Sequence, residues 1–230
     1  YPKSKSNSYL DIYKDELILV SAHGIFSHSK IENFENKIEK LDVISSNIKD
    51  LVEYKDFYLH TEFGIKDILV INDKIYVSYV NRKIINGNNC YNTSIMVAEI
   101  NFDRLDFEIF FDTNECLDEE NLGAHNSGGR MVKYNDQMIL TIGEYNYMNK
   151  AQEKNSIFGK VIVLDLDKKN SYSQLAMGVR NSQGLYYSDK KNIVFLTDHG
   201  PQGGDEINFI DLNIDINKEI RNFGWPIASY

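Results

Sequence analysis

The chain has 230 residues, 42% of them hydrophobic, and a formal net charge of −9. That is enough apolar material for a core, and the acid excess argues against general attraction to nucleic acid or to an anionic membrane. No apolar run approaches the roughly 18 residues that a membrane-spanning helix requires, and no signal peptide is visible. Because the first residue is Tyr1 rather than Met, the segment is expected to belong to a longer protein, with any export signal upstream.

Aromatic residues are common, with 15 Tyr and 12 Phe, while Pro numbers only 3. Together with short apolar runs, this favours strands over helices. Four segments share one pattern, a turn residue followed by a short buried run that ends in a small polar residue. They are residues 15–21 (DELILVS), 73–78 (DKIYVS), 136–141 (DQMILT) and 192–197 (NIVFLT). Ser21, Ser78, Thr141 and Thr197 therefore recur at intervals of about 60 residues, and such a period built from short strands is the signature of propeller blades. The expected fold is an all-β propeller of four-stranded blades.

In chain order, the first unit spans residues 9–48. Its charged stretch 32–40 (ENFENKIEK) reads as a helical turn or a solvated loop. The second unit offers strands at 65–72, 74–80, 91–101 and 105–112, and the third at 129–134, 137–143, 159–166 and 172–177. The fourth begins at Gln183 and runs through Val194 and residues 207–210.

Cys90 and Cys116 bracket the last two strands of the second unit. If residues 102–104 form a three-residue hairpin loop, the two cysteines face each other across antiparallel strands. Opposed α-carbons there lie roughly 4.5–5.5 Å apart, within disulfide range. A bridge implies an oxidising compartment.

Residues 123–130 (GAHNSGGR) place His125 in a loop that leads into a buried strand. An imidazole with a pKa near about 6.5 can accept a proton from a substrate hydroxyl; the plainer reading is a histidine that caps a turn, and His23, His28 and His60 are read that way. Residues 178–206 then combine an Arg-Asn pair with a strand and the loop HGPQGGDE. Its glycines and proline force tight bends that present carbonyl oxygens, and Asp205 and Glu206 add carboxylates, a set that suits a hard cation such as calcium. An ordinary glycine-rich turn with solvated acids is the alternative.

The ordered series HNSGGR, GKVIVLDL, GVRNSQGLYYS, TDHGPQGGDEINFI and NFGWP resembles the soluble quinoprotein sugar dehydrogenases, the glucose/sorbosone dehydrogenase family, over residues 65–226. The resemblance implies a six-bladed propeller that binds pyrroloquinoline quinone (PQQ) and calcium and oxidises an aldose sugar to its lactone, passing electrons to an acceptor that the sequence does not name. It implies that residues 1–230 form a single partial domain of about four blades, with the C-terminal blades missing and the segment inactive alone. It also implies a periplasmic or extracellular location.

Carried over by motif, His125 corresponds to the general base. Arg180 and Asn181 contact the cofactor near its reactive carbonyl, Arg180 with a catalytic part as well, and His199 lies at the cofactor. Gly200 and Pro201 supply main-chain oxygens to calcium, and Glu206 and Phe223 correspond to a second calcium site. The His125 to Arg130 spacing is one residue longer than the commoner family spacing, the stretch 211–221 is long and lacks glycine, and Phe223 stands where tyrosine is more frequent. Two other classes stay open. One is a catalytically silent propeller that binds a protein or glycan. The other is a metal-dependent lactonase, which would want several acids or asparagines converging on the channel, whereas here the acids cluster in one loop.

Overall fold

The computed structural model describes residues 7–34, 41–214 and 220–228. The chain divides into two compact units, Tyr1–Arg82 with Ser94–Asp112, and Lys83–Thr93 with Thr113–Tyr230. In the first, β1 (Ser8–Tyr13), β2 (Glu16–Ser21), β3 (Phe26–Lys30) and β4 (Asp42–Ser46) form an antiparallel meander. A short 3-10 turn at Ile31–Phe34 occupies the start of the charged stretch, and residues 35–40 lie outside the described residues. Two short helices, α1 (Ile48–Leu51) and α2 (Lys55–Leu59), lead to β5 (Ile65–Ile71).

The second sheet orders β5, β6 (Lys74–Ile85), β7 (Asn88–Glu99) and β9 (Glu108–Phe111), while β8 (Arg104–Leu105) leaves it to pair in parallel with β4. The expected strand 105–112 is thus two elements. The three-residue loop at 102–104 is not formed, because Arg104 is already paired with Ser45. The mirror register about residue 103 holds at Ile95, which faces Phe111, and shifts by one residue beyond a bulge, where Met96 faces Ile109 and Val97 faces Glu108. The Cys90–Cys116 bridge nevertheless forms, with α-carbons 5.4 Å apart. Backbone bonds exchanged between Tyr91 and Leu117 bring the two cysteine-bearing segments together independently of that register.

In the second unit, β10 (Gly128–Tyr134), β11 (Gln137–Ile142), β12 (Lys160–Asp165) and β13 (Tyr172–Met177) form one meander, and β14 (Ser182–Ser188), β15 (Ile193–Asp198) and β16 (Glu206–Asp211) form another. The expected four strands of the third repeat stand within a residue or two of these bounds. The fourth repeat shows three strands among the described residues. A short β17 (Arg221–Asn222) returns to pair in parallel with β13. The core here joins β11, β12 and β13 to β15 and β16 through Ile139, Val161, Val163, Leu175, Val194, Leu196 and Ile210.

Ser21, Ser78, Thr141 and Thr197 all fall on the second strand of their sheets, on β2, β6, β11 and β15. Each first-to-second-strand turn holds one left-handed residue: Lys14, Asn72, Asn135 or Asn192. Asparagine tolerates that conformation because its short side chain bonds locally, so the repeat in sequence is a repeat of turn geometry as well as of burial. Among the described residues no helix is long and apolar enough to cross a membrane.

Cysteine chemistry provides the first check. Unreduced, denatured protein should show no titratable thiol from Cys90 or Cys116. Replacing both by serine should lower the unfolding free energy by about 2–4 kcal/mol, read by urea denaturation. A free thiol at either position in the unreduced sample would refute the bridge.

Candidate active site

The site is built on the loops between strands of the second unit. β15 ends in Asp198, which is buried. Its Oδ2 accepts the main-chain N–H of Arg180 at 2.8 Å and its Oδ1 that of Asn181 at 2.6 Å, with the Ser182 hydroxyl at 3.3 Å. Burial raises the Asp198 pKa, and those backbone donors oppose the rise. One carboxylate thereby fixes the backbone of the Arg-Asn pair.

Asn181, itself buried, then spans two loops. Its Nδ2 donates to the main-chain oxygen of His125 at 3.1 Å, and its Oδ1 accepts from Gly128 N at 3.1 Å. His125 lies in the 3-10 turn Ala124–Asn126, between two buried neighbours, with its own side chain exposed. The backbone of the histidine is thus held while its imidazole faces outward, the arrangement a base needs to meet a substrate.

Arg180 is half-buried. Its Nη1 donates to His199 O at 2.8 Å, and its guanidinium carbon lies 5.6 Å from the centroid of the Trp225 ring. His199 is exposed, and its Nδ1 pairs with Asp205 Oδ1 at 2.7 Å; the same oxygen accepts from Gly200 N at 2.9 Å. The hydrogen bond from His199 holds the Asp205 carboxyl below its usual pKa. Gly200 is obligatory here, since a Cβ would stand 1.9 Å from Gly204 O. Pro201 O accepts from Gly204 N at 3.1 Å, which leaves it a second lone pair.

The structure thus brings His125, Arg180, Asn181, His199 and Gly200 into one connected network. Glu206 borders a 520 Å³ cleft with Asp198, His199 and Asp205, where its Oε2 accepts from Asn208. Phe223 has its N–H on Met177 O, and its ring packs on the core. Among the described residues, no group of three or more His, Cys, Asp or Glu side chains is gathered to hold a metal. What the 199–205 loop offers a hard cation is main-chain oxygen, not a carboxylate cage.

Sequence reasoning missed three residues. Asp198 stood unremarked inside TDHGP. Trp225 was passed over for its neighbour Phe223, although it is the sole tryptophan. Glu144 carried no signal beyond following a buried strand and a glycine. It is buried, its Oε1 accepts from Asn126 Nδ2 at 2.9 Å, its Oε2 has no partner, and its N–H donates to Arg180 O at 2.9 Å. Two successive left-handed residues, Tyr145 and Asn146, follow it, and backbone strain of this kind gathers at functional sites.

Comparisons with known proteins bear on the family and the fold. The family model for glucose/sorbosone dehydrogenase matches residues 34–230. The chain belongs to the glucose/sorbosone dehydrogenase family. It is 23% identical over 192 residues to the aldose sugar dehydrogenase YliI of Escherichia coli (strain K12), a match that covers 76% of this chain and 49% of that one. An uncharacterized protein of Synechocystis sp., slr1608, is 26% identical over 148 residues, covering 54% and 33% of the respective chains. The chain therefore spans half or less of the curated relatives it matches.

Among solved structures, the soluble aldose sugar dehydrogenase of E. coli in its apo form superposes with a TM-score of 0.69 at 20% identity, over 98% of this chain and 67% of that one. The PQQ-bound aldose sugar dehydrogenase of Streptomyces coelicolor gives 0.65 at 17%, over 99% and 69%. At these identities the superpositions establish the fold, and the four sheets are β-propeller blades.

Burial raises the Glu144 pKa above its ordinary value of 4.5. The folded family member then holds this proton better than the unfolded chain does, so the associated stability is complete below that value and is lost as pH rises through the folded pKa. Glu144→Gln removes the titration. Urea unfolding at several pH values should show the variant gaining on the wild type as pH climbs from 4 to 8. A difference independent of pH would contradict the assignment.

Proposed function

We propose that this chain is the catalytic and cofactor-bearing part of a PQQ- and calcium-dependent dehydrogenase that oxidises an aldose sugar to its lactone. The observation that carries the reading is the Asn181 side chain, which ties the backbone of His125 to the segment that bears Arg180. The backbones that bear a base and a cation are thereby tied together, as joint action on one substrate in proton removal and electron transfer requires.

The residues present fit these groups. Arg180 and Asn181, with His199 beside them, would hold the quinone, and the main-chain oxygens of Gly200 and Pro201 would hold calcium, whose preference is for oxygen in flexible geometry. Glu206 and the main chain at Phe223 are the candidates for a second calcium. When bound, PQQ supplies the two-electron acceptor for the hydrogen on the sugar's anomeric carbon, and calcium polarises it as a Lewis acid.

The chain's own groups do the rest. The exposed imidazole of His125 takes the proton of the anomeric hydroxyl, with Asn181 fixing the backbone from which it projects. Arg180 places a permanent charge where negative charge gathers, and its bond to His199 O anchors one end of the guanidinium. Completion of the site by further chain, and hence inactivity of residues 1–230 alone, is part of the proposal. So are a periplasmic or extracellular location, which the Cys90–Cys116 bridge supports, and an electron acceptor still to be identified.

The test is reconstitution of the whole protein with PQQ and calcium, followed by dye reduction over a panel of aldoses. His125→Ala should lower turnover by about 10²- to 10⁴-fold while PQQ affinity changes little. Arg180→Ala should weaken both. Absence of PQQ binding in excess calcium would end the dehydrogenase reading, and PQQ binding without oxidation of any sugar would favour a silent binding propeller.

A further inference from the structure

We infer that Trp225 is a positioning residue whose indole face carries the Arg180 guanidinium and sets the direction in which that cation points. The inference rests on the cofactor role proposed for Arg180. A single hydrogen bond, Nη1 to His199 O at 2.8 Å, leaves a long side chain free to rotate about it. A flat ring 5.6 Å from the guanidinium carbon restricts that rotation, because a planar, weakly hydrated cation is attracted to an aromatic face.

The backbone that carries the ring is fixed by the chain itself. Trp225 N donates to Gly178 O at 3.1 Å, and Trp225 O accepts from Gln152 Nε2 at 2.7 Å. Gln152 and Asn222 also exchange amide bonds, at 3.1 and 2.9 Å. Gln152 ends the 3-10 turn Met148–Gln152. That turn is anchored by the buried Lys160, whose Nζ donates to Lys150 O, Ala151 O and Phe158 O and whose pKa burial lowers to about 8.

Gly178 completes the seat. Its φ is +72°, and a Cβ there would stand 2.3 Å from Asn222 Oδ1 and 2.7 Å from Gly224 N. The NFGWP turn therefore closes directly on the backbone two residues before Arg180. The indole Nε1 is buried without a partner, so hydrogen bonding of the ring nitrogen is not what places the tryptophan. The face of the ring is the part in use.

The test uses the whole protein with calcium and measures PQQ affinity by titration in a double-mutant cycle. Trp225→Leu should weaken PQQ binding by roughly 2- to 30-fold, the range a cation–π contact supplies, and Trp225→Phe should restore most of it. In the Arg180→Ala background Trp225→Leu should change nothing further. Gln152→Ala, which loosens the turn without removing the ring, should give a smaller loss that also vanishes without Arg180. Equal losses in both backgrounds, or no loss in either, would overturn the inference.

A second measurement needs no cofactor. Phenylglyoxal modification of Arg180, followed by peptide mass mapping, should be faster in Trp225→Leu than in the wild type. A faster rate in a protein that fails to bind PQQ would uphold the contact and remove the cofactor role of Arg180. An unchanged rate in a protein that binds PQQ normally would remove the contact and leave the cofactor role standing.

Discussion

The Asp198 carboxylate is the interaction on which the candidate site depends. It receives two successive main-chain N–H groups and a hydroxyl inside the protein, where each charge-assisted bond is strong and each lost one is costly. With Arg180 and Asn181 so fixed, the Asn181 amide can reach His125 O and Gly128 N, and Arg180 O can receive Glu144 N. Three loops from two sheets are thus ordered from the end of one strand. Bonds of this kind act on backbone, which lets the exposed imidazole of His125 and the guanidinium of Arg180 remain available to a ligand.

A second constraint is repeated along the chain. β8 adds in parallel to β4, the outer strand of the first sheet, and β17 adds in parallel to β13, the outer strand of the third. Each addition is followed or accompanied by a side-chain clamp. Asn47 grips both the N–H and the carbonyl of Phe107, and Asn222 exchanges bonds with Gln152. In both cases a strand edge that would otherwise present unpaired backbone groups is covered by chain from later in the sequence. In the second case the covering segment also brings Trp225 to Arg180.

Strand positions were legible in the sequence because burial and turn chemistry repeat together: the left-handed asparagines at 72, 135 and 192 precede buried runs whose small polar residue lies on the second strand. His125, Arg180, Asn181 and Gly200 were legible through motifs in register, and the structure joins them. The parallel additions were not, since two residues of β8 or β17 carry no periodicity to read. The bulge that shifts the mirror register by one residue past Ile95 and Phe111 left no trace in the sequence either, and Arg104 has its partner in another sheet. Asp198 and Glu144 escaped notice because the roles of a buried acid are set by which backbone amides fold around it. Trp225 escaped because a contact across some 45 residues of sequence leaves no local trace.

The fourth sheet differs from the first and third in one respect: among the described residues, β16 has no outer partner. Along it Ile207 is 79% exposed and Phe209 50% exposed, two residues apart and so on the same face of the strand. Such an edge is a template for unwanted strand addition. On β16 the apolar face and the strand edge coincide, so a strand added there would pair with its backbone and flank Ile207 and Phe209 at the same time.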